Sequence, residues 1–417
     1  MSQDIRHRIH NFIAARHDDQ CAFLAALVET PSDNPPGDCA AHAVRAAELL
    51  EDLGFTVERH AVPQKLARDN GMISAINLVV RQRFGAAASP SPVIALNAHG
   101  DVVPPGEGWT VDPYGAVIRD GMMYGRGVAV SKSDFATYSF ALLALIDSGA
   151  PLAGTVELHF TYDEEAGGAI GPQWLLDEGI TAPDYALSAG FSYGVVTHHN
   201  GCLHLEVKLT GKSAHAARPD TGHDALEAAT AVLAALYGER KTYAGIHSQI
   251  EGIETPSLVI GLIEGGINTN VVPDGVRFRL DRRIIPEEDP AAVEARLRTV
   301  IEEAAAGHDG ITCRVRRIML AVPFVPIPGG EAMVKALLRN AEAVLGEPIA
   351  AHGVPLYTDA RLYTNAGVPT AIYGAGPRSL LDANAHRADE RLKLDDLAAA
   401  TEVVALTLFD LLHDAPP

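Results

Sequence analysis

Three strand-like stretches of this chain end in side chains able to do chemistry. They supply His99 and Asp101 in "NAHGD", Asp163, Glu164 and Glu165 in "TYDEEAGG", and, in the loop after "PTAIYGAG", His386 in "NAHRADE". On an extended chain, side chains at i and i+2 point the same way. Asp101 could therefore hold the His99 imidazole, or both could reach one cation. Taken alone, His99 reads more plainly as a hydrogen-bonded turn residue. Adjacent acids on an extended chain point apart, so one of Glu164 and Glu165 could bind a metal while the other acts as a base. A solvated acidic turn is the alternative. An apolar strand running straight into two acids and two glycines weighs against it. His386 by itself says little, because most isolated histidines are structural.

One further stretch, "YGRGVAVSKSD" (Tyr124–Asp134), nearly spells a phosphate-binding loop. Such a loop needs glycine directly before the lysine, and Ser131 stands there. A nucleotide cradle is excluded.

These residues need elements to position them. "CAAHAVRAAELLEDLGF" has helical spacing with a stop at Gly54, "MISAINLVVRQR" reads as a strand, and "GAAASPSP" as a polar turn. "VIALNAHGD" and "GTVELHFTYDEEAGG" are buried strands on either side of the helix "SDFATYSFALLALIDSG", where Ser131 and Asp134 have the spacing of a capping box. The alternation predicts an α/β layer with a mostly parallel sheet, whose ligands gather at the carboxyl ends of strands. From about Asn200 the pattern changes to period-two strands, "CLHLEVKLTG", "PSLVIGLIEGG" and "GVRFRLDRRIIP", around two helices. This predicts an inserted α+β domain. The α/β pattern returns after about Arg317. The expected organisation is 1–199 and 317–417 as a discontinuous first domain, with 200–316 inserted.

The 33 Lys and Arg against 53 Asp and Glu give a formal charge of −20. That excludes nucleic acid and anionic membranes as partners, since both need a basic face. The four cysteines, Cys21, Cys39, Cys202 and Cys313, are widely spaced and read as free thiols. No signal-peptide-like or membrane-spanning apolar run is evident, so a soluble cytoplasmic protein is expected.

Taken in order, "NAHGDVVPPGEGWTVDPYGAVIRDGMMYGRG", "TYDEEAGG", "GKSAHAARPDTGHDALEAA", "GGINTNVVPD", "YTDARLYTNAGVPTAIYGAGP" and "AHRADERL" resemble the family of acetylornithine deacetylase, succinyl-diaminopimelate desuccinylase, aminoacylase and carboxypeptidase G. The resemblance spans nearly the whole chain. It implies an α/β catalytic domain of zinc-peptidase type with a smaller inserted lid that often dimerises. It also implies a small-molecule substrate and metal-assisted hydrolysis of an amide beside a carboxylate-bearing group. Carried over by position, His99 looks like a ligand of one metal, with Asp101 orienting it. Glu164 resembles the general base, and Glu165 and His386 resemble ligands of the second metal. In the lid, His215 looks like the oxyanion-stabilising group, and Asn270 and Arg283 look like substrate contacts. Arg283 would suit a carboxylate through its bidentate fork, with a surface ion pair as the alternative.

Two positions depart from the family pattern. Val130 stands where an aspartate would bridge two metals, and Gly190 where an acidic ligand would follow "PDYALSAG". Neighbouring cations about 3.5–4 Å apart need anionic ligands. Several readings stay open. The first is one divalent ion, zinc or else manganese, cobalt or iron, on His99, Glu165 and His386. That donor set matches hydrolytic zinc sites and the facial triad of non-haem iron. The second is rescue by Asp134 or His198–His199, which otherwise read as a helix cap and a strand end. The others are a metal-free member that binds without cleaving, and a changed C–N cleaving reaction.

Overall fold

The computed structural model describes residues 2–85 and 92–413. Residues 86–91, most of the polar turn "GAAASPSP", lie outside the described residues. The chain forms two compact units, one built from residues 1–197, 326–352 and 358–417 and the other from 198–325 and 353–357.

The first unit is organised around an eight-stranded sheet. Its strands are β1 (Val57–Ala61), β2 (Ile76–Phe84), β3 (Val93–His99), β6 (Gly154–Thr161), β7 (Tyr185–Ser188), β8 (Val195–His199), β13 (Ala351–Val354) and β14 (Thr370–Ile372), in the order β1-β2-β6-β3-β7-β14-β8-β13. Strands β6, β3, β7 and β14 run parallel at the centre, while β1, β2 and β8 pair antiparallel toward the edges. The central strands carry near-continuous apolar runs because helices cover a parallel sheet on both faces. Ile94, Leu96, Val156, Leu158 and Phe160 are all buried in one core. The helix Lys132–Asp147 and the C-terminal helix Leu394–His413 are buried along most of their length against that core. A small sheet of β4 (Val117–Arg119), β5 (Met122–Tyr124) and β15 (Arg391–Lys393) ties the glycine-rich loop to the segment after His386.

The second unit holds an antiparallel sheet of β9 (Gly201–Thr210), β10 (Ser257–Gly265), β11 (Gly275–Ile284) and β12 (Thr312–Ala321), ordered β10-β11-β9-β12. Alternation sets its two faces. Leu203, Leu205, Val207 and Leu209 pack with Phe278, Leu280 and residues of the helices Ala225–Thr242 and Pro290–Ala306. Cys202, His204, Glu206 and Lys208 lie on the opposite face. Asp224 caps the first of these helices by accepting from the amides of Leu226 and Glu227.

The α/β layer and the antiparallel insert match the sequence expectation. Strand β12 does not, because the pattern places the return to the first domain near Arg317. That residue lies mid-strand, within a ladder running from Thr312 opposite Thr210 to Ala321 opposite Cys202. The paired Arg316 and Arg317 and a bulge between Arg317 and Met319 interrupt the strand's alternation. Among the described residues no helix is long and apolar enough to cross a membrane.

Leu205 is fully buried between sheet and helices. Truncating it to alanine is expected to destabilise the protein by about 2–5 kcal/mol. The check is a lower urea midpoint with an unchanged denaturant slope.

Candidate active site

The parallel strands β3 and β6 place their carboxyl ends side by side, with His99 paired to Thr161 in the register. His99 therefore stands at the rim of the sheet beside the turn that follows β6. That turn is a short 3-10 helix, Glu164–Ala166, in which the Glu164 and Glu165 side chains are largely withdrawn from solvent, and the strand has already ended. The expectation that Glu164 and Glu165 diverge as neighbours on an extended chain is corrected by this. Curling of the backbone brings donor atoms of both carboxylates and of His99 within 4.8 Å of one another.

Asp101 builds the turn. Its carboxylate is fully buried and accepts from the Glu164 amide at 3.3 Å, the Glu165 amide at 3.2 Å and the Asn34 side-chain amide at 2.9 Å. Nδ1 of His99 lies 2.9 Å from the Asp101 main-chain oxygen and 3.4 Å from its carboxylate. The carbonyl is thus the nearer acceptor, and it fixes the Nδ1–H tautomer. Nε2, the ring nitrogen left open to a ligand, faces Glu164 Oε2 at 4.0 Å.

Burial drives the electrostatics. It pushes Glu164 up to about 8 and Glu165 up to about 7, against the opposing pull of His99. Burial also opposes charge on His99, but Asp101, Glu164 and Glu165 outweigh it and hold the imidazole well above its ordinary value. Such a cluster holds protons that a bound cation would replace. The donor set of one imidazole and two carboxylates fits one divalent ion. Asp359 lies near Glu164, buried, with neither carboxylate oxygen hydrogen-bonded among the described residues. Burial pushes it up to about 7.

His386 is not part of the three-residue convergence. Its Nε2 is 3.7 Å from Glu165 Oε1, and its side chain is 66% exposed. The residue adopts a left-handed backbone, φ 60°, on a loop tethered by Arg126 and Glu390. That buried pair meets at 2.6 Å, and Glu390 also accepts from the Ala129 amide. Arg126 further donates to the carbonyls of Pro105 and Arg387.

Two sequence expectations about the loop Tyr124–Asp134 are overturned. Ser131 and Asp134 form no capping box. The Ser131 hydroxyl instead accepts from the His99 amide at 2.9 Å and donates to the His99 carbonyl at 3.0 Å. Asp134 does not cap its helix either. Its buried carboxylate accepts from the Ala375 amide at 2.8 Å and the Gly190 amide at 3.2 Å, just beyond the ends of β14 and β7. Lys132 is fully buried, donates to the carbonyls of Leu27 and Thr30, and is pushed down to about 7 by desolvation. Val130 and Gly190 offer no donor atom. A Cβ on Gly190 would lie 2.3 Å from Ile372 Cγ2. His198 and His199 end β8, as the sequence indicates.

His215, Asn270 and Arg283 belong to the second unit. His215 and Asn270 are exposed on adjoining backbone, where Ala216 N donates to the Asn270 carbonyl. His215 Nδ1 accepts from the Ala217 amide at 3.1 Å, which leaves Nε2 as the ring's donor. Arg283 bonds Asp281 at 3.0 Å and stands 5.7 Å from the Tyr357 ring centre. Sequence reasoning missed Asp359, Asn34 and the Arg126–Glu390 pair. Asp359 in "YTDARLYTN" has the signal of a helix cap, yet it makes no capping bond.

The α/β fold with its inserted antiparallel sheet, and a strand-end cluster of donors able to hold a metal ion, fit the class of metallo-hydrolases. A model described as "Peptidase family M20/M25/M40" matches residues 95–410, and the chain belongs to that family of metallo-hydrolases. The chain is 28% identical to a succinyl-diaminopimelate desuccinylase of Rhizorhabdus wittichii over 92% of its length and 96% of the relative's. It is 29% identical to an acetylornithine deacetylase of Myxococcus xanthus, with 86% and 89% covered. Among solved structures it superposes on the Saccharomyces cerevisiae di-peptidase Dug1p with TM-score 0.78 at 16% identity, covering 100% of both chains. The metallo-carboxypeptidase Sso-CP2 of Sulfolobus solfataricus gives 0.75 at 19% identity, with 94% and 99% covered.

Buried carboxyls raised above their unfolded values stabilise the fold while protonated. Glu164 contributes fully below about 4.5, and its contribution is lost as pH rises toward about 8. In metal-free protein, Glu164→Gln is therefore expected to raise Tm more at pH 8 than at pH 5, as scanning calorimetry at the two pH values would read.

Proposed function

We propose that this chain hydrolyses the amide C–N bond of a small N-acyl amino acid or peptide-like substrate, using one divalent metal ion per chain at the strand ends, zinc by preference. The observation that carries the reading is the convergence of His99, Glu164 and Glu165 at the ends of two parallel strands. His99 and Glu165 would hold the ion, with His386 at hand beside Glu165. A bound divalent ion supplies carbonyl polarisation and a more acidic water. Glu164, with its affinity for protons raised by burial, takes a proton from the attacking water and delivers it to the leaving amine. Asp101 holds the turn and the imidazole in place. His215, with a fixed Nε2 donor, steadies the oxyanion. Asn270 and Arg283 bind the substrate, Arg283 through a carboxylate. The deacylase names of the curated relatives support an acyl amino acid as substrate.

Val130 and Gly190, without donors, support one ion over two. Elemental analysis of the parent protein and of His99→Ala tests this. A difference of roughly one ion per chain is expected. A difference near two would mean a dinuclear site completed by other residues. No difference would favour a member that binds such substrates without cleaving them. Glu164→Gln is expected to keep the metal and lose about 10²–10⁴-fold in turnover of N-acyl amino acids or dipeptides. Full turnover would remove Glu164 as the base.

The same reading includes a homodimer through the lid. Strand β10 is a sheet edge and exposes Val259, Leu262 and Ile263, a row that another copy would cover. Ile263→Lys is expected to convert a dimer to a monomer by light scattering.

A further inference from the structure

A second group of donors lies in the second unit. Cys202 and His204 sit two residues apart on β9, and Asp281 and Arg283 two residues apart on β11. The register sets His204 opposite Asp281 and Cys202 opposite Arg283. Alternation puts all four on the face away from the helices. Both strands are inner strands, hydrogen-bonded to neighbours on either side, so their backbones hold the four positions firmly.

The donor atoms converge. His204 Nε2 is 2.8 Å from Asp281 Oδ2, Cys202 Sγ is 3.3 Å from that nitrogen, and Sγ is 3.4 Å from the same carboxylate oxygen. A nucleophilic relay needs the thiol and the carboxylate on opposite nitrogens of the ring. Here both approach Nε2, which suits a shared cation. A tetrahedral zinc, with sulfur at about 2.3 Å and nitrogen or oxygen at about 2.0–2.2 Å, spaces its ligands by roughly 3.3–3.6 Å. The two sulfur contacts already have that spacing, and the His204–Asp281 contact would open by roughly 0.5 Å. Asp281 Oδ1 is taken by Arg283 Nε at 3.0 Å, which orients the carboxylate and leaves Oδ2 toward the cluster. His204 and Asp281 are partly exposed, so an ion has access, while the thiol is buried beneath them.

We propose that Cys202, His204 and Asp281 form a zinc-class metal site, separate from the strand-end cluster. Thiolate, imidazole and carboxylate together select zinc or cobalt over magnesium or calcium. Three protein ligands leave a fourth position for water or another donor, and Arg283 on the same face favours an anionic one.

The test uses the full chain, stripped with chelator and titrated with Co(II). A thiolate-to-cobalt charge-transfer band saturating at one equivalent is expected. It should be lost in Cys202→Ser and retained in His99→Ala, because the strand-end cluster contains no sulfur. Added zinc should displace the cobalt and bleach the band. Asp281→Asn, which keeps the side-chain shape, is expected to weaken cobalt binding by about tenfold or more. No band in the parent, a band that survives Cys202→Ser, or unchanged affinity in Asp281→Asn would each overturn the proposal.

Discussion

The arrangement of the strand-end cluster depends on one buried carboxylate. Asp101 is sealed from solvent and gathers three amide donors, two of them the backbone N–H groups of the adjacent acids. Its own carbonyl receives the His99 ring. A buried charge without partners would be costly, and these donors remove that cost while fixing the turn after β6. The carboxylates of Glu164 and Glu165 are then held near each other and near His99. Burial resists ionisation of both carboxylates, and neighbouring negative charge, that of Asp101 on each, adds to the resistance. The site stores protons because the turn holds these groups together and away from water.

The surrounding loops extend this logic. Arg126 and Glu390 meet in the interior and join the glycine-rich loop to the loop of His386. Ser131 clasps the last residue of β3 by both of its main-chain polar groups. Lys132 ends on the carbonyls of Leu27 and Thr30. Each polar side chain that resembles a nucleotide-binding feature in the sequence is spent on holding backbone together.

Much of the fold was legible in the sequence. Apolar runs ending in His99 and in Asp163–Glu165 marked the parallel strands, because strands buried on both faces read as continuous hydrophobic segments. Period-two alternation in "CLHLEVKLTG" marked the insert. The boundary near Arg317 failed because a bulge between Arg317 and Met319 breaks the period-two pattern of β12 at that point. Within the site, residue types were legible and directions were not. Whether Glu164 and Glu165 converge depends on a 3-10 turn that neither residue announces. Whether Asp134 caps its own helix or binds amides of Gly190 and Ala375 depends on strands far away in the chain. Asp359 had no signal beyond that of a helix cap.

The Asp134 carboxylate has a consequence for substitution. It bonds the amide of Gly190, and Ile372 fills the space that a side chain there would enter. A Cβ on Gly374 would likewise meet the Asp134 carboxylate. Any side chain written at 190 therefore requires Ile372 to give way, and any written at 374 requires Asp134 to move. Two bare backbone positions are the condition on which one helix carboxylate can reach the ends of two strands at once.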